Sequence, residues 1–219
     1  MRLTKFIFIF IYTTIFCSNL LATETLLFTN KQILNLLIEA DFGELLSEKI
    51  HHREVGIEGR LTIEGNEVFD VTIFTRGRSR MSCDFPPLKI VFKKKQIQST
   101  IFQGNRSLKM YTHCGSIMGD KTNRERTFRE YKMYRKFRRY SKKAFESRLL
   151  NVRYIDTSNQ IEETNNLAFF IESKKHFEKR TGLERAEVDK NSNRTLEKFT
   201  KIDKVQFAKI KFFNFIKGN

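Results

Sequence analysis

The sequence predicts an α+β fold, an antiparallel-sheet-rich lobe carrying a few helices. Three observations carry that reading. "RLTIEGNEVFDVTIFTRG", residues 60–77, is two alternating apolar–polar runs meeting at Gly65-Asn66, which reads as a β-hairpin. "LKIVFKKK" and "SLKMYTHC" form a second hairpin around a polar loop near Gln103-Gly104-Asn105, and "LLNVRYIDT" with "LAFFIES" form a third strand pair around Ser158-Asn159. Between the second and third pairs, Asn123 to Lys143 has the periodicity of a helix.

Taken in chain order, residues 1–22 have the layout of a secretory signal peptide. Arg2 and Lys5 precede the apolar run Phe6 to Phe16, and a small-residue stretch ends at Ala22. The run is short for a membrane span. A retained N-terminal anchor is the alternative; lipidation at Cys17 fits less well, because Phe16 is large for the position before a lipidated cysteine. The segment from about Phe28 to Lys49 reads either as a strand followed by a short helix capped by Asp41, or as one amphipathic helix. Polar residues 181–194 read as a linker, and a closing helix begins near Thr195.

The chain has 219 residues, enough for one domain with a sizeable core, and its 22 Phe with no Trp give that core an aromatic character. Its formal charge is +16; removing residues 1–22 takes away Arg2 and Lys5 and leaves +14. Such a field attracts polyanions of many kinds, and export makes nucleic acid the less natural partner beside an acidic cell-envelope polymer or an acidic protein. The membrane would be met only in transit.

Cys83 and Cys114 remain after signal removal, an even pair in a compartment that permits disulfides. If Leu88 faces Lys109 in the second hairpin, facing residue numbers sum to 197, and the two cysteines satisfy the same sum. Two buried free thiols are the alternative.

Most local motifs read as structure. Asp41-Phe42-Gly43 matches the magnesium-binding tripeptide of protein kinases, but it is expected to precede every strand and no His-Arg-Asp motif exists, so it reads as a capping Asp. His51-His52 and His113-Cys114 are adjacent pairs whose side chains diverge, which makes neither a metal site. The stretch from Lys121 to Lys143 holds eleven Lys or Arg against Glu125 and Glu130, with Phe128, Tyr131, Tyr134, Phe137 and Tyr140 at every third position. Those rings suit packing against a sheet better than a base-stacking platform.

The segments "TRGRSRMSCDFPPLKIVF", "FQGNRSLKMYTHC", "FREYKMYR", "RLLNVRYIDT" and "LAFFIES" together resemble a group of uncharacterised exported bacterial proteins distantly similar to the spore-coat-protein-H-like (CotH) atypical kinases. The likeness runs from about residue 30 to the end. It implies the N-terminal lobe of an atypical kinase-like fold over residues 23–180. Lys89 and Lys109 would lie on nucleotide-side strands, Glu130 on the helix that orients a lysine, and Glu172 before the interlobe hinge, with ATP and magnesium as the implied ligands. In that group the last helix leads into an Ile-Gly-Asn-Thr-Asp-Trp type segment bearing the catalytic Asp. Here residues 195–219 end at "KIKFFNFIKGN", where Phe212, Phe213, Phe215 and Ile216 point all round a helix. The resemblance therefore implies a missing C-terminal lobe, and an exported protein that is catalytically inactive as encoded. The alternative is a non-enzymatic basic module that binds an acidic polymer or a protein partner.

Overall fold

The computed structural model describes residues 26–63 and 67–183. They belong to one compact unit, which ends at Leu183. The expected signal peptide, the Gly65-Asn66 turn, the closing helix and most of the linker lie outside the described residues.

The fold is mixed α and β and rich in sheet. Its strands are β1 (Leu34–Ala40), β2 (Ile57–Ile63), β3 (Glu67–Thr75), β4 (Leu88–Phe92), β5 (Ser107–Tyr111), β6 (Ser147–Asp156) and β7 (Thr164–Ile171). Among the described residues four α-helices accompany them: α1 (Leu26–Thr29), α2 (Phe42–Ser47), α3 (Lys121–Tyr140) and α4 (Lys174–Thr181). The strands close into a barrel in the order β1-β2-β3-β4-β5-β7-β6. Every neighbouring pair is antiparallel except β1 with β6, which run parallel and complete the ring. A closed seven-stranded barrel is not evidently the lobe of a kinase.

Alternation builds the interior. In β1, β3 and β4 every second residue is buried, and Leu36, Ile38, Val71, Ile73, Leu88 and Ile90 meet inside. Phenylalanines fill the two ends. At one, Phe102 from the β4–β5 connection packs on Phe92 (ring centroids 4.6 Å), Phe69 (5.2 Å) and Phe170 (6.3 Å). At the other, Phe42 and Phe85 pack on Tyr154 at 5.5 and 4.8 Å. Such edge-on and tilted pairs are favoured by the ring quadrupoles.

The strand-then-helix alternative holds for residues 34–47, and Asp41 caps α2 by accepting a hydrogen bond from Glu44 N–H at 2.8 Å. The first and third hairpins pair as expected, with Ile57 facing Ile73 and Leu150 facing Ala168. The second is shifted by one residue: Leu88 faces Met110 and Lys89 faces Lys109. Cys83 and Cys114 are nevertheless joined by a disulfide, with Cα atoms 5.1 Å apart. The bond does not follow from the strand register: the β4–β5 ladder stops at Leu88 and Met110, and Cys114 lies beyond it with a left-handed backbone (φ 46°). The bridge therefore joins two loops.

Helix α3 lies on the outside of the barrel. Tyr131 and Tyr134 pack with Phe169, Ile171 and Leu149 on the outer face of β6 and β7. The aromatic spacing is thus packing at the centre of the helix, while Phe128 and Tyr140 near its ends are exposed.

Candidate functional site

Because β4 and β5 alternate, Leu88, Ile90, Leu108 and Met110 point inward and Lys89 and Lys109 outward, directly opposite one another. Like charges so placed repel. Lys89 turns aside, its ammonium 3.6 Å from the centroid of the Phe74 ring. Lys109 stays, half-buried. Burial pushes its pKa down, and the charges of Arg76 and Lys174 push it further. Lys174 opens α4, three residues beyond Ile171, which faces Lys109 on β7. Among the described residues no carboxylate forms an ion pair with Arg76, Lys109 or Lys174.

The loop after β3 supplies the rest of this face. The guanidinium groups of Arg76 and Arg80 lie over the Tyr111 ring, 5.1 and 5.3 Å from its centroid. Tyr111 stacks on Phe169 at 5.0 Å, so its position is set by the barrel wall. The Tyr134 ring lies 6.4 Å from that of Tyr111, and the pKa of the Tyr134 hydroxyl is raised by burial first and then by Tyr111 and Glu130.

Glu130 does not meet Lys89 or Lys109. Its carboxylate takes both hydrogen bonds of a forked contact from Arg80 Nη2, at 2.8 and 2.9 Å, which ties the loop to α3. Glu172 is also committed elsewhere. It accepts from Arg180 Nε (2.9 Å), Arg180 Nη2 (2.8 Å) and Glu146 N–H (3.1 Å), while its own N–H donates to Glu146 O at 3.0 Å. The structure therefore brings Lys89 and Lys109 together and places Glu130 and Glu172 in separate ion pairs. Glu172→Ala is expected to lower stability by about 2 kcal/mol, modest for a buried pair because Arg180 keeps the carbonyls of Lys142 and Ala144 as acceptors. Urea denaturation checks it.

Sequence reasoning missed Arg76, Arg80 and Lys174. The first two lie in the Arg-Gly-x-Ser-Arg segment, whose density of cations beside a strand end was the available signal. Lys174 follows Ser173, which caps α4 by accepting from His176 N–H at 3.2 Å, so an N-cap reading would have placed it at a helix start. A separate open cleft of about 570 Å³ lies where α3 begins, lined by Met118, Asp120, Lys121, Arg124, Phe128 and Asn166 among others. It contains none of the expected site residues and mixes both signs of charge.

The histidines of the two adjacent pairs are placed as ordinary core and surface residues: His52 and His113 are buried and His51 is exposed. Among the described residues no group of three or more His, Cys, Asp or Glu is arranged to hold a metal. No family model matches the chain, and no curated protein is significantly similar to it.

Proposed function

We propose that this barrel is a binding module for a phosphate-type anion, held on its outer face by Arg76, Lys109 and Lys174 beside the Tyr111 ring. One observation carries the reading. Lys109 is half-buried, feels the charges of two further cations and, among the described residues, has no acid paired to it, an arrangement that weakens the fold unless an anion fills it. A guanidinium and two ammonium groups then supply charge-assisted hydrogen bonds to phosphate oxygens. The function proposed is recognition without phosphoryl transfer, in an exported protein; the Cys83–Cys114 bridge supports an oxidising compartment.

A nucleotide is the second reading. It is favoured by the placement of Lys89 and Lys109 on paired strands beside α3, as the CotH-like resemblance implies. Titration with pyrophosphate, and with ATP with and without magnesium, separates the two. Lys109→Met is expected to weaken pyrophosphate binding about 10- to 100-fold, the value of one charge-assisted contact. Its melting temperature is expected to be equal to or above that of the parent, since a desolvated, repelled ammonium has been removed. Unchanged pyrophosphate affinity would sink the proposal; magnesium-dependent ATP binding much tighter than that of pyrophosphate would favour the nucleotide reading.

A further inference from the structure

Helix α3 sorts its cations by face. Arg135 and Arg138 turn toward the barrel, where Glu146 pairs with both. Arg129, Lys132, Lys136 and Arg139 are all exposed, and their spacing of three, four and three residues places them in one row along the outer side of the helix. Ten residues at 1.5 Å each give the row a length of about 15 Å. Among the described residues none of the four forms an ion pair with a carboxylate, and the acid on this side, Glu125, lies a turn before the row begins. Like charges at these spacings work against a helix.

The row makes one contact with the fold, the Lys132 ammonium over the Phe128 ring of the same helix. The residues that attach α3 to the barrel, Thr127, Tyr131 and Tyr134, are on the opposite side. The aromatic rings interleaved with the cations offer no continuous stacking surface either. Tyr131 and Tyr134 are packed on Phe169, and the face of Phe128 is covered by the Lys132 ammonium, 4.7 Å from its centroid. A ligand on this row would be read by charge at regular intervals and by little else.

We infer that the Arg129–Lys132–Lys136–Arg139 row is a docking surface for a linear acidic polymer with regularly spaced phosphate-type anions, lying along α3. It shares no side chain with the Lys109 cluster and does not depend on the function proposed for that cluster. Binding releases the polymer's condensed counterions, so affinity falls steeply with salt.

The test uses long-chain inorganic polyphosphate as the probe, with tripolyphosphate, too short to span the row, as its control. The variant replaces Arg129, Lys132, Lys136 and Arg139 by Gln. Expected results are tighter binding of the long chain than of tripolyphosphate by the parent, and a loss of at least about tenfold in the variant. The slope of log affinity against log salt should become shallower by about three. The variant should melt at the same temperature or higher, because repulsion has been relieved. A second variant that exchanges Arg for Lys and Lys for Arg at the four positions should keep the affinity.

Three results would each overturn the inference. One is unchanged polyphosphate binding in the Gln variant; another is a lower melting temperature, which would assign the cations to the fold. The third is tight binding to anionic phospholipid vesicles that polyphosphate does not displace, which would make a membrane surface the occupant. Lys109→Met should leave long-chain binding on the row intact, so failure here and failure at the Lys109 cluster are read separately.

Discussion

Replacing Asp156 by alanine is expected to cost about 3 to 5 kcal/mol, enough to unfold a substantial fraction of an ordinary domain at physiological temperature. The side chain is buried at the end of β6 and joins three pieces of backbone. Its Oδ1 accepts from the N–H groups of Phe42 (2.8 Å), Gly43 (3.2 Å) and Ser158 (3.3 Å). Its Oδ2 accepts from the Ser158 hydroxyl (2.8 Å) and from the N–H groups of Gln160 (2.8 Å) and Ile161 (3.0 Å). Alanine would leave several of these donors dry and unpaired, and they include the start of α2 and most of the β6–β7 turn.

The same carboxylate carries a pH signature. Burial raises its pKa, but the Ser158 hydroxyl and the N–H groups of Gly43, Ile161 and Gln160 outweigh that and leave it below the ordinary Asp value of 3.8. The unfolded chain therefore takes up the proton first. The stabilisation is whole above about pH 4 and is lost as pH falls through the depressed folded value. Urea melts of the parent and of Asp156→Asn should converge in this range, because the amide has no carboxylate charge to lose. Parallel curves down to pH 2 would show that the acid sensitivity lies elsewhere.

The second large effect is expected from the disulfide. Cys83 and Cys114 are separated by 31 residues, and closing such a loop restricts the unfolded chain by roughly 3 to 4 kcal/mol in the chain-entropy description. Full reduction should lower the melting temperature by about 10 °C for a domain of this size. It should also weaken pyrophosphate binding. The bridge holds the loop that carries Arg76 and Arg80 against the loop that leads into α3, and Phe85, from the first of these, stacks on His113 in the second at 4.9 Å. A double Cys83→Ala, Cys114→Ala variant separates loss of the bond from effects of the reductant. If it melts with the parent, the bond contributes nothing to stability.

Local order was legible in the sequence to the degree that it depends on neighbours along the chain. Alternation marks the hairpins, the position of Asp41 before an apolar run marks a cap, and the period of three in the α3 aromatics marks the face that packs at Tyr131 and Tyr134. The one-residue shift of β4 against β5 was not legible, because the connection between them is long. Residues 93–106 contain buried Ile97 and Phe102, so no tight turn fixes the register. Helix α4 went unseen because it buries no residue and so has no apolar stripe; its caps, Ser173 and a left-handed Gly182, were the only signals. Barrel closure was beyond reach for a different reason. A strand's pattern of burial says which face is covered and nothing about which strand lies beside it. Within the candidate site, Lys89 and Lys109 were visible as strand lysines, whereas the acids assigned to them were claimed by Arg80 and Arg180, two cations whose long side chains reach across elements that the sequence does not show to be adjacent.

The parallel seam between β1 and β6 also sets the order of events when the chain folds. Asn35 and Asn151, hydrogen-bonded across it, are 116 residues apart. The β2–β3 hairpin and the β6–β7 hairpin can each form from residues close in the chain, but β1 must wait until nearly the whole unit has been made before its second partner exists. Closure of the ring is then a late step with a high loop-entropy cost, and it makes for slow folding. Throughout that interval β1 and β6 each present a bare row of amide and carbonyl groups to any other chain passing by. The ring that leaves the described strands without an edge is, during synthesis, the source of their longest-lived pair of edges.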